Sequence, residues 1–419
     1  MTEYKSELRV FLDAAWFDEP QAVGTLYREV LRGAPKYAFE FDRAWLKAYP
    51  GLSLSSDLET FPGRQYLPQG KDLFGCFSDA LPDRWGRLLL RRREEAEAER
   101  EERPVRTLTS FDLLSGIDDF TRMGAFRFKD QNSEGFVNET TTLSVPTMVS
   151  LRELAEAASH IEASERRKLE PEEKWLDQLL RPGSSLGGAR PKATVIDEKG
   201  ELWIAKFPSQ ADEVDVGGWE ALAMALARRA GITVSESRLM DIGGAHRIFL
   251  TKRFDRAGAK RIHFASAMTM LGLTDGDGAS TGHGYLDLVE TILACSTDVE
   301  SDLEDLFRRV AFSICIGNAD DHFRNHGFIL TPKGWRLSPA YDLNPTMMRH
   351  QSLLINGETD AADLKILEKS AELYFLTQGR ASAIIQEVLD AMKDWQSAAA
   401  RLQLTQRDIR RFEERFICA

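Results

Sequence analysis

The stretch that organises this sequence reads Gly317-Asn318-Ala319-Asp320-Asp321-His322-Phe323-Arg324-Asn325-His326-Gly327. It is rich in polar and charged side chains, yet the apolar runs of residues 310–316 and 328–330 flank it on both sides. A buried polar group is costly unless it is paired, so polar residues between two buried segments must be satisfied internally or serve a ligand. We therefore treat this stretch as the candidate functional site.

The spacing within the stretch indicates phosphoryl transfer. Asp320 and Asn325 form the pattern D-x-x-x-x-N, which is the spacing of the protein-kinase catalytic loop. In that loop the aspartate faces the substrate hydroxyl and the asparagine binds magnesium. Asp342 follows after a predicted hairpin, where a kinase has a second magnesium-binding aspartate, although Leu343-Asn344 replaces the usual Phe-Gly. The three residues together predict a metal-assisted site.

Composition limits the classes of function. The chain has 419 residues, of which 43% are hydrophobic, enough for two or three domains with cores of their own. A net charge of −12 disfavours direct nucleic-acid binding by this chain alone, because phosphate contacts need clustered Lys and Arg. Four scattered cysteines without a C-x-x-C pair argue against disulfides or a zinc site. With no apolar signal region and no run of membrane-spanning length, we expect a cytoplasmic protein without membrane contact.

The order of the predicted elements indicates an α+β protein with two lobes. Strand patterns occur mainly before residue 252, and helical patterns dominate after residue 256. We expect a β-rich N-terminal lobe with a small extra N-terminal subdomain, followed by an all-helical C-terminal lobe. The predicted domains are residues 1–130, 131–254 and 255–419. The clearest predicted strands are 8–12, 37–41, 193–196, 202–207, 237–240 and 247–251, and the clearest helices are 84–102, 285–295 and 301–316.

A loop rich in glycine and serine precedes two of these strands. Residues 181–192 read RPGSSLGGARPK, and their flexible backbone could bring N–H groups close to a phosphate, although the G-K-[ST] of a Walker A loop is absent. Lys206 ends the second strand, and Glu220 lies in the helix that follows. In a kinase, such a lysine contacts the nucleotide phosphates and pairs with a helix glutamate. An edge lysine and a surface glutamate are the structural alternatives.

Taken together, these motifs resemble the HipA family of serine/threonine kinases, the toxins of bacterial HipBA-type toxin–antitoxin modules. The resemblance covers nearly the whole chain and implies a bilobed, protein-kinase-like α+β fold. The matching segments are residues 37–46 and 74–82 (N-terminal subdomain), 184–192 (phosphate loop of the HipT-like form), 252–256 (the hinge E-R-F-D-R, with Lys for Glu), 318–325 (N-x-D-x-H-x-[KR]-N) and 340–342 (the Y-D motif).

The resemblance implies a role for each site residue. Asp320 is the catalytic aspartate, while Asn325 and Asp342 hold Mg²⁺. Ser185, with Ser184 as a neighbouring candidate, matches the serine whose autophosphorylation expels the loop from the nucleotide site and silences the kinase. The residues assigned to ATP binding are Lys206, Glu220, Ser185, Gly187, Gly188, Lys252, Phe254 and His322.

The resemblance also implies partners. A helix-turn-helix antitoxin of HipB type would supply the DNA contact. The substrate would be a protein, and targets in the family include aminoacyl-tRNA synthetases, whose phosphorylation stops tRNA charging and arrests growth. The sequence departs from the family at Lys252 and at His263-Phe264-Ala265-Ser266, where H-Q-E-D is common. These departures leave the ATP contacts and the target open.

Two alternatives come from other functional classes. His322 and His326 lie four residues apart beside Asp320 and Asp321, a spacing that could ligate zinc in a metal-dependent hydrolase, although the glutamate of H-E-x-x-H is missing. The other alternative is a catalytically weak corepressor that acts by binding an antitoxin. A full set of kinase residues argues against the loss of catalytic activity that this alternative requires. These residues are Lys206, Asp320, Asn325 and Asp342.

Overall fold

The computed structural model describes residues 5–31, 34–67, 70–131, 133–139, 145–167, 173–180 and 190–417. The chain divides into two compact units, residues 1–210 with 255–265, and residues 211–254 with 266–419. It therefore leaves the second unit after Phe254, within the predicted hinge, and returns to it at Ser266. The three-domain division stays a prediction, since these units have different bounds.

The described residues form both strands and helices throughout the chain. The strands are β1 (Lys5–Leu12), β2 (Gln21–Leu31), β3 (Ala34–Phe41), β4 (Arg64–Tyr66), β5 (Phe126–Asp130), β6 (Lys192–Ile196), β7 (Leu202–Lys206), β8 (Ser237–Met240), β9 (Ile248–Lys252), β10 (Arg256–Ala257), β11 (Lys260–Arg261), β12 (Phe264–Ser266), β13 (Gly327–Thr331) and β14 (Gly334–Leu337). The helices are α1 (Arg43–Ala48), α2 (Gly75–Ser78), α3 (Arg84–Arg100), α4 (Ser110–Gly116), α5 (Leu151–Arg167), α6 (Glu173–Leu180), α7 (Val216–Arg229), α8 (Ala267–Leu271), α9 (Tyr285–Cys295), α10 (Val299–Ile316), α11 (Leu364–Lys369), α12 (Gln378–Met392), α13 (Trp395–Arg401) and α14 (Gln406–Glu413). No helix among these residues is long and apolar enough to cross a membrane.

The first unit is built on an antiparallel sheet with strand order β4-β3-β2-β1-β5. Alternate side chains of a strand point to the same face, and here one face is aromatic. The ring of Phe77, from α2, lies 5.2 Å from that of Phe39 in β3 and 5.3 Å from that of Phe126 in β5. All three side chains are buried, so this aromatic cluster forms the core beneath the sheet.

The hairpin of β6 and β7 also belongs to the first unit. Its register pairs Lys192 with Lys206 across the two strands. The Nζ atom of Lys192 lies 2.8 Å from Oδ2 of Asp83, and both side chains are almost completely buried. Asp83 also caps α3 by accepting a hydrogen bond from the N–H of Gly86. This ion pair therefore fixes the hairpin that carries Lys206 to the start of α3.

Residues 255–265 anchor the end of the predicted hinge within the first unit. The Oδ2 atom of Asp255 accepts hydrogen bonds from the N–H of Gly124 at 2.8 Å and from Nη1 of Arg256 at 2.6 Å. Burial lowers the pKa of His263 to about 3, and its ring packs edge-on against Phe126 at 4.4 Å. Asp255, Arg256 and His263 thus have structural contacts of their own.

The second unit contains α7, the hairpin of β8 and β9, and the helices from α8 onward. Within it α10 packs against α9, α11 and α12. The second half of α10 is buried without interruption, from Leu306 to Ile316. A helix that is buried on all sides lies in the interior of its domain. The candidate site follows directly at the end of this helix.

The predicted C-terminal lobe, residues 255–419, is not all-helical, because it contains strands β10 to β14. Strands β13 and β14 form an antiparallel hairpin that pairs Phe328 with Leu337 and Leu330 with Trp335. These four side chains are buried and alternate along their strands, the period of a sheet with one face on the core. The hairpin that the sequence predicts between Asn325 and Asp342 is therefore confirmed. The α+β class is confirmed as well.

Candidate active site

Helix α10 ends at Ile316, and the candidate loop begins at the next residue, Gly317. Gly317 has a φ of +67°, in the left-handed region that favours glycine at the end of a helix. The N–H of Asn318 then bonds to the carbonyl of Ser313 at 2.9 Å, which satisfies one of the last carbonyls of the helix. The chain turns out of the core within three residues, and the side chain of Asp320 is exposed.

Two distant segments hold the loop in place. The carbonyl of Ala319, just before Asp320, accepts hydrogen bonds from the N–H and Oγ of Ser352 at 3.0 and 2.9 Å. At the other end, the carbonyl of His326 accepts from the N–H of Ala267 at 2.9 Å. The loop is therefore a fixed part of the second unit.

Asn325 lies directly against the backbone of Asp320. Its Nδ2 atom donates to the carbonyl oxygen of Asp320 at 3.0 Å, and the side chain is buried. Because this bond uses the amide nitrogen, the amide oxygen is the atom that can accept a donor or bind a cation. The bond also links the two ends of the D-x-x-x-x-N pattern.

The segment that carries Asp342 is tied to the same loop. The hydroxyl of Tyr341 donates to the carbonyl of Arg324 at 2.7 Å, which ties the preceding residue to the loop. Partial burial is the main cause that raises the pKa of Asp320 above its ordinary value; the His322 ring opposes this shift, and the Asp342 carboxylate adds to it. Carboxylates that disfavour each other's ionisation form a negative site suited to a cation.

Oxygen donors of this kind fit Mg²⁺. Magnesium is usually held by one or two carboxylates together with substrate phosphates, and it prefers oxygen ligands. The carboxylate of Asp342 and the amide oxygen of Asn325 are such donors, beside the charge of Asp320. Asp342 has a φ of +58°, a left-handed conformation that Asp and Asn adopt more readily than other side chains.

A buried polar network under the loop centres on Asp321. This residue is 2% exposed, and its Oδ2 atom accepts from the hydroxyls of Tyr285 at 2.7 Å and Ser313 at 3.1 Å. The Nε2 atom of His326 lies 2.9 Å from its Oδ1 atom. Burial alone would raise the pKa of Asp321, but His326 and the two hydroxyls outweigh it and hold this pKa below its ordinary value.

Replacing Asp321 by alanine is expected to destabilise the protein strongly. The change removes the shared acceptor of three buried groups, and breaking such a network costs about 3 kcal/mol of unfolding free energy. Because the pKa of Asp321 is lowered on folding, its contribution is present above the unfolded pKa of about 3.9 and is lost as the pH falls through the lower folded value. Urea unfolding at neutral and at acidic pH measures both effects.

The matched control for this prediction is Asp390→Ala. Asp390 is exposed on α12 and pairs with Lys393 at the surface, where ion pairs contribute little. Its variant is expected to unfold close to wild type. Equal stability of the Asp321 and Asp390 variants at neutral pH would contradict a supporting role for Asp321.

Sequence reasoning missed this network. In the sequence, Asp321 stands out only as a neighbour of the possible zinc ligands His322 and His326, and the motifs include neither Tyr285 nor Ser313. Ser313 carries a signal that could have been used, since it is a polar residue inside the apolar run of residues 310–316. Tyr285 comes from the start of α9, and its contact with Asp321 depends on tertiary packing alone.

The predicted zinc ligands do not form a site together. His326 is buried and faces Asp321, and Tyr285 packs edge-on against its ring at 5.8 Å. The Nδ1 atom of His322 has no hydrogen-bond partner among the described residues. In the same part of the chain, no group of three or more His, Cys, Asp or Glu side chains is arranged to hold a metal ion. His326 is thus part of the buried network, and the zinc alternative loses its support.

The residues assigned to the nucleotide are distributed over both units. Lys206 ends β7 in the first unit, and Glu220 lies in α7 of the second. Glu220 is 3% exposed, so it is not the surface glutamate of the structural alternative. The pairing of Lys206 with Glu220 stays a prediction. The phosphate-loop residues lie outside the described residues, and their roles stay predictions too: Ser184, Ser185, Gly187 and Gly188.

The hinge residues are placed at the end of β9. Lys252 is the last residue of this strand, and its N–H bonds to the carbonyl of Glu236 at 2.8 Å. The ring of Phe254 lies 5.6 Å from that of Tyr341, at an interplanar angle of 33°. The predicted adenine-side residue therefore contacts the residue that precedes Asp342.

Comparison with known proteins gives matches along most of the chain. Residues 184–396 match the family model of the HipA-like C-terminal domain, and residues 14–117 match that of the HipA N-terminal domain. The kinase candidate Y4dM of Sinorhizobium fredii is 31% identical over 175 residues, which cover 39% of this chain and 41% of that protein. The serine/threonine-protein kinase toxin HipA of Shewanella oneidensis is 27% identical over 143 residues, 30% of this chain and 33% of that protein. The chain thus spans well under half the length of these curated relatives.

A solved structure shares the fold over nearly the whole length. It is a chain of the complex of HipA, HipB and operator DNA from Shewanella oneidensis MR-1, with a TM-score of 0.64 and 19% sequence identity. The match covers 94% of this chain and 90% of that one. The C-terminal family model alone spans more than half of the sequence. The chain therefore belongs to the HipA family and has its α+β fold.

Proposed function

We propose that this protein is a kinase that transfers the γ-phosphate of ATP, with Mg²⁺, to a serine or threonine hydroxyl of a target protein. The observation that carries the proposal is the convergence of Asp320, Asn325 and Asp342. Asn325 bonds to the backbone of Asp320 at 3.0 Å, and the carboxylate of Asp342 acts on the pKa of Asp320. These residue types at one site are those that phosphoryl transfer requires.

Asp320 has the role of orienting the incoming hydroxyl. Its side chain is exposed, so a substrate hydroxyl can reach the carboxylate, which accepts the proton as oxygen attacks the γ-phosphorus. The bond from that phosphorus to the β-phosphate oxygen then breaks and ADP leaves. A raised pKa makes Asp320 a better proton acceptor than an ordinary surface aspartate.

Asn325 and Asp342 are the residues that would hold Mg²⁺. The bound ion supplies charge neutralisation on the phosphates, and the protein supplies its orientation. The Oδ1 atom of Asp342 accepts a hydrogen bond from Nδ2 of Asn344 at 3.3 Å, which helps to orient this carboxylate. The remaining catalytic power would come from positioning, which is the main requirement of this reaction.

ATP binding would involve residues from the loop, β7, α7 and β9. Lys206 would orient the phosphates, with Glu220, and Phe254 would lie on the adenine side, beside Lys252. The contact of Phe254 with Tyr341 supports this assignment, because Tyr341 directly precedes Asp342 in the chain. Gly187, Gly188 and His322 would face the phosphates, as the family resemblance implies.

Regulation and partners follow the family. Phosphorylation of Ser185, or of Ser184, would add a charge of about −1.5 to −2 that competes with the γ-phosphate. A HipB-type helix-turn-helix antitoxin is the proposed partner, and HipB is named in the Shewanella complex. The net charge of −12 suits a basic partner that supplies the DNA contact. The proposed substrate class is an aminoacyl-tRNA synthetase.

Labelling in a lysate tests the proposed function. Purified protein is incubated with γ-labelled ATP, Mg²⁺ and a bacterial lysate, beside Asp320→Asn and beside wild type with a chelator. We expect wild type alone to label a protein on serine or threonine, which mass spectrometry then identifies. Labelling that persists in the Asp320 variant, or no labelling in any sample, would overturn the proposal.

A further inference from the structure

We propose that Arg415 is a positioning residue that holds the segment after Asp342 against the end of α10, and so fixes the carboxylates of the site relative to each other. Its catalytic meaning rests on the proposed function. Arg415 follows α14 and is far from the site in sequence. Its contacts nevertheless reach both segments that carry the site, the one before Asp320 and the one after Asp342.

The guanidinium of Arg415 binds two backbone carbonyls in the segment after Asp342. Its Nε atom donates to the carbonyl of Thr346 at 3.2 Å, and its Nη2 atom donates to that of Met348. Residues 343–349 of this segment form neither strand nor helix, so hydrogen bonds of regular secondary structure do not hold them. An arginine can bind both because its donors are arranged in a rigid fork.

Thr346 connects the segment that Arg415 binds to the candidate loop through hydrogen bonds. Its N–H and Oγ1 donate to the carbonyl of Gly317 at 2.9 and 3.2 Å. The N–H of Ala319 in turn donates to Oγ1 of Thr346 at 3.4 Å. Arg415 therefore clamps Thr346 from one side, while the residues that lead to Asp320 bind it from the other.

The backbone around Arg415 also contacts the end of α10. The N–H of Ile417 donates to the carbonyl of Cys315 at 2.8 Å, which satisfies another of the last carbonyls of that helix. A Cβ atom at Gly317 would lie only 3.2 Å from Cβ and from the carbonyl oxygen of Arg415. The close approach of the two segments thus depends on glycine at the position where the loop begins.

Aromatic side chains on either side fix Arg415 in place. The ring of Phe412 lies 4.5 Å from that of Trp219 in α7. The ring of Phe416 stacks on that of Trp395 in α13 at 4.1 Å. All four aromatic side chains are buried. Because the residues before and after it are anchored, the guanidinium has little freedom to leave the two carbonyls.

Loss of the guanidinium should loosen the site without unfolding the protein. Exposed carbonyls can bond to water, so the expected effect is local displacement of the loop and of the segment after Asp342. A displacement of about 1 Å at reacting groups can reduce a rate about 10²-fold. We expect kcat of Arg415→Ala to fall at least about tenfold, with KM for ATP within about twofold, because kcat depends on this geometry.

The experiment compares Arg415→Ala and Arg415→Lys with Arg410→Ala. Arg410 is exposed on α14 and serves as the matched control for a lost positive charge. Steady-state kinetics, the melting temperature and hydrogen–deuterium exchange are measured on each full-length protein. Arg415→Ala should show faster exchange in residues 317–325 and 343–352 only. Arg415→Lys should be intermediate, since an ammonium group cannot reproduce the fork.

The exchange measurement separates this inference from the proposed function. If wild type transfers no phosphate, the proposed function fails, and exchange at residues 317–325 and 343–352 still decides the role of Arg415. Exchange and kinetics of Arg415→Ala equal to those of Arg410→Ala would overturn the inference. A uniform rise in exchange over the second unit with a lowered melting temperature would also overturn it, because Arg415 would then be a general stabilising residue.

Discussion

Replacing Asp320 by asparagine is expected to reduce γ-phosphate transfer at least about 10²-fold, because a general base contributes a factor of this size or more. The fold should stay intact. Asn325 binds only the backbone carbonyl of Asp320, and that bond does not depend on the side chain that is changed. The side chain itself is exposed, and asparagine has nearly the same shape. Single-turnover transfer and thermal unfolding measure the two effects.

Asp275→Asn is the control for this prediction. Its carboxylate is 75% exposed and pairs with Arg324 of the same loop at 2.6 Å, so the change removes one negative charge near the site. Transfer by this variant should remain close to wild type. A similar loss in both variants would assign the effect to general electrostatics, and full transfer by the Asp320 variant would refute its role.

Replacing Asp342 by asparagine is expected to reduce transfer on the order of 10²-fold, since a bound metal contributes several kcal/mol of transition-state stabilisation. Asparagine tolerates the left-handed conformation, with φ of +58°, that Asp342 adopts. The backbone should therefore keep its path, and the lost group is the carboxylate that would hold Mg²⁺. Raising the Mg²⁺ concentration should restore part of the activity.

The same variant predicts a pH effect with a defined sign. The Asp342 carboxylate helps to raise the pKa of Asp320, so its removal should lower that pKa. The acidic limb of the pH–rate profile, where Asp320 becomes protonated, should then move to lower pH. Activity that depends on Mg²⁺ and pH as in wild type would exclude Asp342 from the site.

Elements with regular periodicity were predicted well from the sequence. The helix predicted at residues 285–295 coincides with α9, and that at 301–316 differs from α10 by two residues. Strand β8 coincides with the prediction for residues 237–240. In α9 the buried residues Tyr285, Leu288, Val289 and Ile292 form one apolar stripe along the helix, which is the condition under which periodicity is informative.

Strand β2 was missed because its pattern is interrupted. Val10 pairs with Gly24, but the next residue, Phe11, pairs with Ala22, so Val23 forms a bulge. An extra residue in one strand shifts the alternation of all the following side chains. Val23 and Leu26 are consequently both buried although they are three residues apart. Such an irregularity depends on the neighbouring strand and is not visible in the sequence of β2.

The reacting groups of the candidate site were predictable from the sequence. The residues that hold the loop in place were not. The spacing of Asp320 and Asn325 is local, and the structure places a hydrogen bond between the Asn325 side chain and the Asp320 backbone. Tyr285 and Arg415 come from elements distant in the chain, and only tertiary packing brings them to the loop. His326 appeared in the sequence as a possible metal ligand because spacing does not show which way a ring faces.

The measurement that tests the central claim most directly uses the purified protein and γ-labelled ATP. It follows the incorporation of label into serine or threonine of a target protein. It is made with Mg²⁺ and with a chelator, on wild type, Asp320→Asn and Asp342→Asn. We predict Mg²⁺-dependent incorporation by wild type, a loss of at least about 10²-fold in Asp320→Asn and a loss on the order of 10²-fold in Asp342→Asn. Incorporation by either variant at the wild-type rate, or by wild type in the presence of the chelator, would contradict a magnesium-dependent kinase site at Asp320, Asn325 and Asp342.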